Sequence, residues 1–87
     1  MEFEFDPAKS ASNKDKHGLD FEEAKALWLD DKRIELPSRY DTEPRRLAIG
    51  MIAGKLWSAI FTMRDDRVRL ISVRRARRSE EDLYEDQ

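Results

Sequence analysis

Seven arginines fall within residues 64–78, at positions 64, 67, 69, 74, 75, 77 and 78, against only Asp65 and Asp66. A guanidinium is a planar fork of donors that matches the oxygens of a phosphate. Simple strand alternation would place Arg67, Arg69, Ile71, Val73 and Arg75 on one face, and Val68, Leu70, Ser72, Arg74 and Ala76 on the other. Each face would then mix arginine with apolar residues, which is not an ordinary solvated surface. The functional reading is a phosphate-binding groove. The plainer reading is surface arginines paired with nearby acids.

Other side chains can do chemistry too. His17 is the only histidine. Near a helix C-terminus it can serve catalysis, or simply complement the helix dipole. Asn13 stands four residues earlier on the same helical face, placed to orient a substrate or to hydrogen-bond a neighbouring loop. Glu80 and Tyr84 share the same spacing, and either can reach back to Arg74 or Arg75. A salt bridge that docks a terminal helix is the plainer outcome for this pair, and base stacking by Tyr84 the functional one.

Several chemistries are excluded. There is no cysteine, so thiol catalysis, disulfides and thiolate metal sites are absent. No HExxH, EF-hand loop, GxxxxGK[ST] or GxGxxG occurs. A triad of Ser72, His17 and an aspartate can be drawn, but nothing in the pattern supports it. No metal and no cofactor are expected.

The chain has 87 residues, 41% of them charged, and a net charge of −2. The sum conceals a strong asymmetry. Residues 1–31 carry nine acids and four bases, and residues 79–87 carry five acids and no base. The arginine band lies between them, and a polyanion responds to the local field. Length allows one domain, residues 1–87. No apolar run approaches a membrane span, and the acidic start lacks the features of a signal peptide, so a cytoplasmic location is expected.

The elements that must position these residues follow from local pattern. Phe3 and Phe5 alternate with Glu2 and Glu4, as in a short strand. Asp6-Pro7 opens a helix that Gly18 ends near His17. Asp20 with Glu23 makes a capping box for a second helix, apolar at Phe21, Ala24, Leu27 and Trp28 and ending near Asp30. Residues 33–36 predict a short strand, and Pro37 to Glu43 a polar loop. Strands are predicted over 46–53, 55–63 and 67–76, joined by tight turns at Ala53-Gly54 and Asp65-Asp66. Ser79 is expected to cap a last helix over 80–86. The predicted architecture is α+β: an antiparallel sheet, two N-terminal helices packed on one face, and a short C-terminal helix.

In order along the chain stand Phe5-Asp6-Pro7-x-Lys9, Asn13, Lys16-His17-Gly18 and Phe21-x-x-Ala24. Then come Glu43-x-Arg45, Ala48-Ile49-Gly50, Phe61-Thr62-x-Arg64, Arg69-x-Ile71-Ser72-x-Arg74-x-Ala76, Glu80 and Tyr84. This set resembles the BrnT toxin family over nearly the whole chain. It departs at Val73, commonly alanine there, and at the acidic run Glu80-Glu81-Asp82, often more basic. The resemblance implies a RelE-like fold and a metal-independent endoribonuclease toxin of a bacterial type II system. It also implies neutralisation by a BrnA-like ribbon-helix-helix antitoxin. Two toxins per antitoxin dimer are expected, with operator DNA reached only through the antitoxin. The alternative is a RelE-like module that has lost cleavage and acts as antitoxin partner and co-repressor. A basic nucleic-acid-binding domain without toxin ancestry is a further rival. With RNA as substrate, Arg64 and Arg74 are the expected transition-state stabilisers, and His17 and Glu80 the proton-transfer candidates. Arg45, Arg69, Arg75 and Lys14 are the expected RNA-binding residues.

Overall fold

The computed structural model describes residues 1–38 and 44–87. The elements are β1 (Glu2–Glu4), α1 (Pro7–His17), α2 (Phe21–Ala24) running into a 3-10 turn (Lys25–Leu29), β2 (Ile34–Pro37), β3 (Arg46–Ile52), β4 (Lys55–Arg64), β5 (Arg67–Arg75) and α3 (Arg78–Glu85). Among the described residues no helix is long and apolar enough to cross a membrane.

The predicted starts and stops are local and they form. The Asp6 carboxylate accepts from the Ala8 amide, and Gly18 closes α1 at φ +85° with its N–H on the Lys14 carbonyl. Asp20 and Glu23 form the reciprocal capping box. Ala53-Gly54 and Asp65-Asp66 both sit at positive φ. Paired left-handed residues make the two-residue turn whose twist suits a hairpin, and Asp tolerates that conformation better than most residues. Two local expectations differ. The second helix tightens to 3-10 winding after Ala24 instead of running on, and α3 starts at Arg78 with Arg77, not Ser79, as its cap.

The sheet order is β1-β5-β4-β3-β2. Strands β2 to β5 pair antiparallel, but β1 pairs parallel to β5, with Phe3 opposite Val68. The sheet is therefore mixed, not antiparallel. Hairpins dictate direction only for the strands they join. β1 is joined to no neighbour by a hairpin, so no turn dictates its direction. Phe3 stacks edge-on against Trp28, which meets Phe61 in the same way, at centroid separations of 5.2 Å each. Phe5 meets Phe21 at 5.6 Å.

The core lies between one sheet face and the segment Leu19–Leu27, and comprises Leu19, Phe21, Ala24 and Leu27 with Ala48, Trp57, Ala59, Phe61, Val68, Leu70 and Val73. Gly50 permits the close approach. A Cβ there would stand 3.0 Å from Leu27 Cγ and Cδ2. Helix α1 is held differently. It buries Ser10 and Asn13 rather than large apolar groups. The Asn13 amide donates to the carbonyls of Leu19 and Val73 and accepts from the Val73 N–H. It thereby supplies β5 with a strand-like partner just beyond the point where β1 ends.

Candidate active site

The register of β4 and β5 sorts the arginines. Phe61 faces Leu70 and Ile60 faces Ser72, so Ile71 is an extra residue in β5. Such a bulge reverses the alternation beyond it. Val68, Leu70, Val73 and Arg75 consequently lie on the core face, and Arg67, Arg69, Ser72 and Arg74 on the opposite one. The expected mixing of arginine and apolar residues on both faces does not occur. The outer face of β4 contributes Ser58, Ile60, Thr62 and Arg64 across from them.

Arg74 is the most tightly defined of these groups. Its two terminal nitrogens grip the Glu80 carboxylate at 2.7 and 2.9 Å. Glu80 Oε1 also accepts from Ser58 Oγ at 2.9 Å and from the Arg77 amide at 2.8 Å. Ser58 and Glu80 are buried. Burial raises the Glu80 pKa, but the bonds from Arg74, Arg77 and Ser58 outweigh it and pull the carboxyl down to about 2. A carboxylate so stabilised and so fully bonded does not suit the proton-transfer role that the sequence suggested. It fits instead as the brace that fixes Arg74. Ser58 escaped notice in the sequence, although a serine inside the apolar run Leu56–Phe61 was a signal.

The other end of the outer face holds Arg64 and Arg69. Arg69 contacts Glu4 at 2.8 Å, and Arg64 stands 3.8 Å from the same carboxylate. Arg67 lies 3.9 Å from Glu2. Parallel β1 thus lays two acids beside three arginines, as the plainer reading expected. Exposed pairs at 3.8–3.9 Å contribute little and yield readily to a competing anion.

Two clefts flank the segment Ile60–Met63 of β4. One is lined by Arg74, Arg77, Glu80, Leu47 and Ile60, the other by Arg45, Arg46, Thr62 and Met63, and both include Pro37 and Ser38. Arg45 therefore lies beside the same face as Arg64, Arg69 and Arg74. Its motif neighbour Glu43, with most of the predicted 37–43 loop, lies outside the described residues.

Three expected residues are placed elsewhere. Arg75 points to the core face, its guanidinium 5.7 Å from the Trp57 ring and its Nε on the Leu56 carbonyl. The bulge explains why it parts from Arg74. Lys14 bridges to Glu23 at 2.8 Å, joining α1 to α2. Tyr84 donates to Asp30 at 2.7 Å rather than reaching the arginines. His17 is exposed at the end of α1 and lines a small cleft with Lys9, Ser12, Lys16, Ile71 and Ser72. Ser72 shares the outer face with Arg74 two residues away, so the two clefts meet on one strand.

The model of a protein family described as the ribonuclease toxin BrnT of a type II toxin–antitoxin system matches residues 5–80. The chain belongs to that family. No curated protein matches it. The matched span contains His17, Arg45, Arg64, Arg69, Arg74 and Glu80. Membership makes the chain part of a ribonuclease toxin family and implies an antitoxin partner.

Proposed function

We propose, from membership of the BrnT family, that this chain is a metal-independent endoribonuclease of RelE-like fold working in the cytoplasm, and that its outer sheet face binds RNA. The braced guanidinium of Arg74, on the same face as Arg64 and Arg69, is the observation that supports this most strongly. RNA supplies its own nucleophile. The 2′-oxygen attacks phosphorus and gives up its proton, the P–O5′ bond breaks, and O5′ takes up a proton. A 2′,3′-cyclic phosphate and a 5′-hydroxyl end result. The protein's share is to orient the strand, stabilise the charge on the phosphorus oxygens and move protons.

In this reading Arg74 is the main stabiliser of that charge, and Glu80 and Ser58 are positioning residues that hold its fork in place. Arg64, Arg69 and Arg45 bind flanking phosphates. His17 remains the proton-transfer candidate, at the mouth of the cleft beside Ser72. Neutralisation falls to a BrnA-like ribbon-helix-helix antitoxin, whose dimer would carry two toxins and reach operator DNA on their behalf.

Expression without an antitoxin, followed by mapping of RNA ends, tests the proposal. Growth arrest with new 5′ ends is expected. Arg74→Lys keeps a charge opposite Glu80 but loses the bidentate fork, and should cost about 10²- to 10³-fold in cleavage rate. Undiminished cleavage in both Arg64→Ala and Arg74→Lys would remove their assigned roles. Antitoxin binding without arrest would favour the non-cleaving module.

A further inference from the structure

The arginine face is largely compensated from within. Arg64 and Arg69 have Glu4, Arg67 has Glu2, and Arg74 has Glu80. The cleft between α1 and β5 is different. It gathers Lys9, Lys16 and His17 with the hydroxyls of Ser12 and Ser72. Among the described residues none of these five side chains has an ion-pair or hydrogen-bond partner, whereas the Asn13 side chain in the same wall clips β5. The cations of this cleft therefore have no carboxylate beside them among the described residues, whereas Arg64, Arg67, Arg69 and Arg74 share the carboxylates of Glu2, Glu4 and Glu80.

Helical spacing makes the arrangement deliberate in form. Residues 9, 12, 13, 16 and 17 stand at i, i+3, i+4, i+7 and i+8, one continuous stripe of α1. A lysine at position 9 lies in the first turn, at the positive end of the helix dipole, where a cation is unfavourable and where the only nearby acid, the N-cap Asp6, is engaged by the Ala8 amide. Dipole compensation accounts for Lys16 and His17 in the last turn but not for Lys9. Helix α1 is also short of large apolar residues and is held by Asn13 and Ser10. Its exposed stripe, not a core contribution, is what it presents to the β5 bulge.

We propose that this cleft is a second anion subsite, in which Lys9 and Lys16, with Ser12 and Ser72, hold one phosphodiester of a single RNA strand next to the one engaged by Arg74. The inference rests on the ribonuclease reading above and extends it from one sheet face to the α1–β5 edge. A volume of about 170 Å³ suits a phosphate group. Ser72 belongs both to this cleft and to the outer strand face, so a strand passing from Arg74 over Ser72 enters it directly.

The test is binding, not cleavage. An uncleavable single-stranded 2′-O-methyl oligonucleotide is titrated against the full chain over a series of salt concentrations. Lys9→Gln/Lys16→Gln should weaken binding severalfold and make the salt slope shallower by about 0.7 to 1, the signature of one lost phosphate contact. Lys55→Gln, a charge removed at the β3–β4 turn, should leave the slope unchanged. The lysine variant should melt no lower than the parent, because both side chains are exposed and Lys9 opposes its helix dipole. A slope equal to that of the parent, or a change matched by Lys55→Gln, overturns the subsite. An acidic antitoxin segment as the true occupant would give that unchanged slope. Lysine-dependent binding with no cutting of unmodified RNA would leave the subsite standing and remove the ribonuclease reading. Cutting with a lysine-independent slope would do the reverse.

Discussion

Glu80 shows how environment decides a residue's role. The sequence places a carboxylate within reach of Arg74, where a salt bridge is the plainer role and proton transfer the one that the family resemblance adds. The geometry favours the brace through the Arg77 amide, an i, i+3 capping-box contact, and through Ser58, which no spacing rule reveals because it lies on another strand. With its pKa lowered from 4.5 to about 2, Glu80 adds stability that is fully present above the unfolded value and is lost as pH falls towards 2. The shift corresponds to roughly 3 kcal/mol, little discounted because the side chain is only 10% exposed. Urea denaturation should therefore show a steep loss of stability between pH 4.5 and 2, and Glu80→Gln should flatten that limb while lowering stability at neutral pH. Superimposable acid limbs would mean that Glu80 is not held ionised by Arg74. In cleavage assays the same variant should lower kcat without deleting a limb of the pH–rate profile. Disappearance of a limb would restore the proton-transfer role.

At the level of elements, what was legible was what is local. Caps, the Gly18 stop and both hairpin turns depend on a few adjacent residues, and they stand where the residue types place them. The direction of β1 was not legible, because its partner β5 lies more than sixty residues along the chain and no hairpin joins the two. Neither was the Ile71 bulge, which leaves no mark in a strand-like sequence yet decides that Arg74 and Arg69 share a face and Arg75 does not. The role of Asn13 lies between these cases. Its position one turn before His17 on the same face was visible, but its three bonds to Leu19 and Val73 required the tertiary fold. Asn13→Ala should strand the Val73 N–H and two carbonyls in a buried seam, at a cost of about 2–4 kcal/mol in urea denaturation. A loss under about 1 kcal/mol would show that α1 is held to β5 by something else.

Over the whole molecule, the acidic front and the basic band of the sequence turn out to be neighbours. Parallel pairing of β1 with β5 brings Glu2 and Glu4 across from Arg67 and Arg69, so the protein supplies its own competitor for phosphate at one end of the outer face. The acidic tail does the same at the other end through Glu80 on Arg74 and Asp82 near Arg78. A net charge of −2 thus reflects a working face that is partly self-neutralised rather than one that is absent. On the proposed function this arrangement gives RNA an exchange to make, a phosphate replacing Glu4 on Arg69 and Arg64. Removing the competitor should favour that exchange. Glu4→Gln should tighten binding of a single-stranded oligonucleotide severalfold and steepen its salt slope, since two cations are released for phosphate contact. The stability lost should be within about 1 kcal/mol, as the pair is partly exposed and Arg69 retains its place on β5. Unchanged affinity and slope in Glu4→Gln would take the Arg64–Arg69 end off the RNA path, and would confine the working surface to Arg74 and the clefts on either side of it.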